Sequence, residues 1–391
     1  MNILFVTPYP PYPLESGGKI RAYHLIREAA RRHRVALLTV ADSTSMQAAS
    51  AHLREFLTAF EVYPVEPPGW LKRKSRPDFF RHFHSPALRR RLREVLRKPG
   101  IDLVHVEELC LADVLPRTGV PRVLGRQKID VFFYRSVYES DGRIRRFRWQ
   151  TDLVKLLHWE RQAKRRFQGH VLCSRVDAAR LGAVIGKFPH RVVPNGVDLA
   201  YFAPAPSEAG ERRTLVFIGT MDYPPNADGA QFFVESIWPE IRRRAPDVET
   251  LFVGRNPPAA VQVLGQTPGI TVTGAVPDVR PYLRDAAAVI VPVRIGEGTR
   301  LKILEAMAMQ KPVVSTVRGA EGLLVKDDEH IHLARDAAQF ADRTLRLLDS
   351  SAEQARIAEG GYRVVRERYD WSVIGAELAA YYEEIAGGSP S

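Results

Sequence analysis

Two cysteines in 391 residues are too few for a disulfide framework, and both, Cys110 and Cys173, sit in apolar stretches. A reducing compartment, the cytoplasm, is therefore the expected home. No run of 18 apolar residues occurs, so no helix is expected to span a membrane. The opening segment Met1–Pro8 has no basic leader and no cleavage site, and reads as a first core strand rather than a signal peptide. Asp-x-Asp triplets and zinc-spaced Cys/His clusters are missing, so no metal site is expected. Walker loops, Gly-x-Ser-x-Gly elbows and the dinucleotide fingerprint are missing too. Aromatic residues are not interleaved with the basic runs, which argues against a nucleic-acid partner.

Positive charge is plentiful but confined. The chain carries a formal +12, and two segments hold all of the excess. Residues 72–98 contain eleven Lys/Arg against two acids, and residues 143–166 contain nine against two. Such segments either attract a phosphate-rich partner, an anionic membrane surface among them, or form solvated helix faces.

The length suits two domains, and the 45% hydrophobic content supports full globular folding. Short apolar strand candidates alternate with helical patterns, which implies parallel sheets covered on both faces. In the first half they are 3–7, 35–40, 60–65, 102–106, 121–124, 170–173 and 191–193. In the second they are 215–219, 250–254, 270–274, 288–292, 312–316 and 322–325. The pattern restarts after the Pro/Ala/Gly-rich stretch 203–210. Two doubly wound α/β domains are expected, over 1–205 and 206–370, with a final helix in 371–391.

The most informative stretch is Arg294–Ala308, which follows a buried-type strand and opens an apolar helix. Such a loop offers free backbone N–H groups at the positive end of a helix dipole, a ready anion site. Arg300 and Lys302 add full charge there. Glu297 lies in the loop and Glu305 about two turns into the helix, so the two carboxylates can hold different ends of one elongated, phosphate-bearing ligand. Further strand ends carry glycine: Gly17-Gly18 after a proline-rich loop, Gly219, Gly254, and Gly274 before Val276. Glycine there either lets a ligand approach the backbone or turns the chain. His105 closes a strand, where an isolated histidine is either structural or cleft-facing.

Taken together, these motifs resemble the GT-B glycosyltransferases of the large retaining family 4 (glycosyl transferases group 1). The resemblance spans nearly the whole chain. It rests on Gly17-Gly18, Val193–Asp198, Phe217–Met221, the Glu-x7-Glu element Glu297/Glu305, and the runs Gly298–Ala308, Val313–Thr316 and Gly319–Leu323. It implies two Rossmann-like domains facing a cleft, with the last helix crossing back to the first. It implies a nucleoside-diphosphate sugar as donor substrate, no cofactor and no metal. Glu297 would sit by the donor sugar as the catalytic group and Glu305 would bind the ribose. Gly298, Thr299, Arg300, Leu301 and Lys302 would hold the diphosphate with Gly17 and Gly18, while Gly254 and Val276 would meet the base.

Two departures from the family pattern stand out. The basic pair of many relatives falls here on Thr220 and Asn226, so Arg300 and Lys302 are the candidates for the lost charge beside Gly219 and Asn226. Where many relatives carry a histidine this chain reads Gly125–Asp130, leaving Gln127, Asp130 or His105 for the acceptor side. The expected activity is transfer of a sugar to a saccharide or lipid-linked acceptor in cell-envelope or exopolysaccharide synthesis, by a cytoplasmic protein peripheral to the membrane. A sugar-nucleotide epimerase on a similar fold and a non-catalytic basic binding protein are the alternatives.

Overall fold

The computed structural model describes residues 1–41, 52–66, 76–140, 146–206 and 213–388. Parts of both basic segments (72–75 and 143–145) and of the 203–210 stretch (207–210) lie outside the described residues. The chain forms two compact units, Met1–Pro194 with Trp371–Ser391, and Asn195–Asp370. No helix among the described residues is long and apolar enough to cross a membrane.

The first unit holds a seven-stranded parallel sheet: β1 Asn2–Thr7, β2 Arg34–Ala41, β3 Ala59–Pro64, β4 Leu103–Glu107, β5 Arg122–Arg126, β6 Gly169–Leu172 and β7 His190–Val192. Its spatial order is β3-β2-β1-β4-β5-β6-β7. Side chains of a strand point alternately to the two faces, and the core obeys this. Ile3 and Phe5 join Leu25, Ile26 and Trp371 on one face; Leu4 and Val6 join Leu88 and Leu92 on the other. Helix α1 (Gly17–Ala30) starts where the Ser16 hydroxyl accepts from the Lys19 amide, a standard N-cap. The terminal helix Trp371–Ala386 packs against α1, burying Trp371, Ile374, Leu378, Tyr381 and Tyr382. Helices α2 (Asp130–Ser140) and α3 (Arg146–Arg166) follow β5.

The second unit repeats the plan with six parallel strands: β8 Thr214–Ile218, β9 Glu249–Val253, β10 Ile270–Gly274, β11 Ala288–Val291, β12 Val313–Thr316 and β13 His332–Ala334. Their order is β10-β9-β8-β11-β12-β13. Helix α4 (Pro224–Phe232) follows β8, and α5 (Leu301–Ala308) follows β11.

Two sequence expectations are corrected. The edge strand is His332–Ala334, not 322–325, because Gly322 sits in a turn at φ +85°. The units divide at Pro194/Asn195, upstream of the proline-rich stretch. Val193 is still in the first core while Val197 already belongs to the second, and Val197 bridges to Asp370.

Candidate functional site

Strand order reverses between β8 and β11 in the second unit. Connections diverge there to opposite faces of the sheet, leaving a crevice at the carboxyl ends of the strands. The loops carrying Gly219 and residues 292–300 leave from that point.

The second loop is held in a fixed shape. Gly296 and Gly298 take φ of +93° and +83°, a left-handed backbone that residues with a Cβ adopt only at a cost. Arg300 is 8% exposed, and its guanidinium donates to the carbonyls of Glu297 (2.7 Å), Gly298 (2.8 Å) and Ile295 (3.1 Å). The side chain expected to meet a diphosphate is thus turned into its own loop as a clamp. Arg300→Met should leave three carbonyls unpaired and cost about 2–3 kcal/mol, read as a lowered Tm together with weaker nucleotide binding. Glu297 Oε1 accepts from Arg318 Nη2 at 2.9 Å, and Arg318 also pairs with Glu321. Asn195 Nδ2 donates to Thr299 Oγ1 at 2.7 Å.

Helix α5 starts at Leu301 with no side chain capping it, and the Ile303 amide already donates to the Arg300 carbonyl, so the amides of Leu301 and Lys302 are the ones open to an anion. Lys302 is buried. Its ammonium donates to Asn226 Oδ1 at 2.8 Å and lies 4.1 Å from the Phe217 ring centroid. No carboxylate comes within ion-pair distance of it among the described residues. Burial pulls its pKa down to about 7. Asn226 is oriented by its own bond to the Thr220 carbonyl.

Glycine is required beside this ammonium: a Cβ on Gly219 would lie 2.8 Å from Lys302 Nζ and 2.7 Å from Asn226 Nδ2. Gly254 packs directly on the Gly219 carbonyl. Glu305, three residues beyond Lys302 on the half-buried side of the helix, has its carboxyl pushed up to about 7, mainly by loss of water. Its carboxyl makes no hydrogen bond or ion pair among the described residues. Val276 is half-buried against the core.

In the first unit the order reverses between β1 and β4. Gln127 Nε2 donates to the Tyr9 hydroxyl (3.3 Å) and the Gly18 carbonyl (3.2 Å). A Cβ on Gly18 would strike both side chains. Gly17 is the exposed first residue of α1. Asp130 is buried at the start of α2, with Oδ2 near Arg126, whose guanidinium makes a two-pronged bond to Glu160 at 2.6 and 2.7 Å.

Glu108, directly after β4, was not singled out by sequence reading. It is buried at φ +69°, ψ +143°, a conformation that costs about 1–3 kcal/mol. Two adjacent acids at the end of an apolar strand were the available signal.

His105 takes a structural place. It is fully buried, stacked on Phe5, with Nδ1 sharing a 2.5 Å hydrogen bond with the Tyr382 hydroxyl and Nε2 lying 3.0 Å from Glu107 Oε1. Strand alternation turns it to the face covered by the terminal helix. His105→Ala should cost about 2–4 kcal/mol of stability. A changed KM with unaltered Tm would return His105 to the site.

The basic segments are partly consumed internally. Arg76 and Arg89 pair with Asp113, Arg91 with Glu61, and Lys164 and Arg166 bind backbone carbonyls. Elsewhere in the second unit, Asp328, His332 and Glu353 bring potential metal-ligand atoms within 4.8 Å of one another. Arg346 and Arg356 pair with both carboxylates, so the group reads as a neutralised ion network.

Two family models match this chain, Glycosyltransferase Family 4 over residues 16–201 and Glycosyl transferases group 1 over residues 212–350. The chain belongs to the family 4, group 1 glycosyltransferases. This glycosyltransferase is 32% identical over 203 residues to the phosphatidyl-myo-inositol mannosyltransferase of Mycobacterium leprae, covering 50% of this chain and 53% of that protein. It thus spans about half the length of the curated relatives it matches. Over its whole length it superposes on sucrose-phosphate synthase from Thermosynechococcus elongatus, with a TM-score of 0.74, 18% identity and 100% of both chains covered. The Anabaena protein HepE in complex with UDP-glucose gives a TM-score of 0.71 at 17% identity, over 98% of this chain and 100% of that one. These likenesses show a GT-B fold.

Proposed function

We propose that this glycosyltransferase moves a hexosyl group from a nucleoside-diphosphate sugar, held by the second unit, to a hydroxyl of a saccharide or lipid-linked acceptor, held by the first. The observation that carries this is the buried Lys302 ammonium at the β8/β11 reversal, which has no carboxylate partner among the described residues and lies beside an uncapped helix start. A buried cation without a counter-charge is costly, and a diphosphate supplies that charge. As the bond from sugar to phosphate breaks, negative charge grows on the leaving oxygen, where Lys302 and the α5 amides stabilise it without requiring a metal. Glu297 steadies the positive anomeric centre, Glu305 binds the ribose diol, and Gly254 and Val276 complete the donor site of the second unit.

Attack on the same face gives retention of configuration. The mannosyltransferase relative and the UDP-glucose complex of HepE support a hexosyl donor. The basic segments suit a cytoplasmic protein resting on an anionic membrane surface. The test is a thermal-shift screen against uridine, guanosine and adenosine diphosphate sugars. Transfer is then followed by NMR of the product anomer, with and without a chelator. A stabilising donor, a retained anomer and chelator-resistant turnover are expected; an inverted anomer, or stabilisation by no nucleotide, would overturn the reading.

A further inference from the structure

The run Val193–Asp198 carries the chain from the first unit into the second: Pro194 ends one and Asn195 begins the other. Both flanks of Asn195 are fixed. On one side the fully buried Arg21 guanidinium donates to the carbonyls of Val193 (2.8 Å) and Pro194 (3.0 Å). On the other, the Val197 amide donates to the Tyr369 carbonyl at 2.8 Å, and Val197 bridges to Asp370. A side chain between two anchored points has little room to stray. That of Asn195 is itself buried, and its Nδ2 donates to Thr299 Oγ1 at 2.7 Å.

Thr299 directly precedes Arg300 at the uncapped start of α5, where the Leu301 and Lys302 amides are open. A hydroxyl has one hydrogen to give and two lone pairs that receive. Here Asn195 takes up a lone pair, and the hydrogen goes to no described residue. The occupied lone pair turns the hydrogen away from Asn195. A hydroxyl that accepts one hydrogen bond is also polarised into a better donor.

We propose that Asn195 is a positioning residue for the donor phosphates: its bond to Thr299 sets that hydroxyl to donate to a phosphate oxygen, as a third donor beside the Leu301 and Lys302 amides. The inference rests on the donor reading of the second unit and deepens it. Asn195 acts through Thr299 and touches no ligand itself. Its amide is chemically required. An aspartate of the same size would accept from Thr299 instead of donating, and would consume the hydrogen.

The test is calorimetry of the full chain with UDP, GDP and ADP, using those that the unaltered protein binds. Asn195→Ala and Thr299→Val should each weaken the nucleotide by about 5–10-fold. Thr299→Ser keeps the hydroxyl and should stay within about twofold. In the Thr299→Val background, Asn195→Ala should add less than about twofold, because the two residues act as one unit. Asn195→Asp should bind more weakly than Asn195→Ala, although it fills the same space.

A role confined to packing would give the opposite order, with Asp milder than Ala, and additive losses in the double variant; either result overturns the proposal. So does unchanged affinity in Asn195→Ala. Should that variant fold poorly, Thr299→Val against Thr299→Ser decides alone, and equal affinities of the two overturn it. All of these failures leave nucleotide binding by the unaltered chain intact and so spare the transferase reading. An unaltered chain that binds none of the three nucleotides overturns both.

Discussion

Glu297→Ala is expected to lower turnover by on the order of 10³-fold, the scale of losing one preorganised charge at a reacting centre. The loop around Glu297 leaves its carboxylate little freedom. Two left-handed glycines set the path, Arg300 ties three carbonyls together, and Arg318 fixes Oε1. A carboxylate so restrained stabilises developing positive charge without reorganising. Arg318 keeps Glu321 as a partner when Glu297 is removed, so the stability change should stay within about 1 kcal/mol. Nucleotide binding, read by calorimetry, should persist because the groups at α5 remain. Glu297→Gln retains size and loses charge, and should fall between wild type and Ala. Normal turnover in the Ala variant would remove this carboxylate from the reaction.

The second large effect concerns pH at Lys302 and Glu305. Burial holds the Lys302 pKa at about 7 against an ordinary 10.5, and lifts Glu305 to about 7 from 4.5. The signs differ. The depressed lysine penalises folding fully below pH 7, and the penalty fades as pH rises towards 10.5. The raised carboxyl costs nothing below its ordinary range, and its penalty grows as pH climbs from 4.5 to 7. Their sum places a dip in stability near neutrality, shallower in Lys302→Met and in Glu305→Gln.

A bound diphosphate gives the ammonium a counter-charge and raises its pKa, so nucleotide binding at pH 7–8 should take up protons. Calorimetry in two buffers of different ionisation heat reads this directly. Lys302→Met should remove the uptake and weaken the nucleotide by about 10–100-fold. An unchanged affinity would mean that the ammonium never meets the phosphates.

Most of the strands were legible because parallel strands buried on both faces read as short apolar runs, as in Ala288–Val291 and Leu215–Ile218. The edge strand His332–Ala334 was not, since three residues without a sustained apolar run carry little signal. The loop between β11 and α5 stood out in the sequence through its glycines and charges. The inward turn of Arg300 was not, because a guanidinium that satisfies carbonyls and one that awaits a ligand have the same letter. Arg318 lies 21 residues from Glu297, and no local pattern links them. The choice between the two readings of His105 was not legible, because strand phase decides which face a residue meets, and the terminal helix that covers it is nearly 280 residues away in sequence. Glu108 escaped notice because its strain is a backbone property.

The interleaving of the two cores has a consequence for how the protein is made. The first sheet is synthesised early, yet one of its faces is sealed by Trp371, Ile374, Leu378, Tyr381 and Tyr382, which leave the ribosome only after the whole second unit. The second unit is continuous in the chain and can close while translation proceeds. The earlier-born half must therefore wait with an apolar wall uncovered, and nascent chains arrested before residue 371 are where chaperone capture should concentrate.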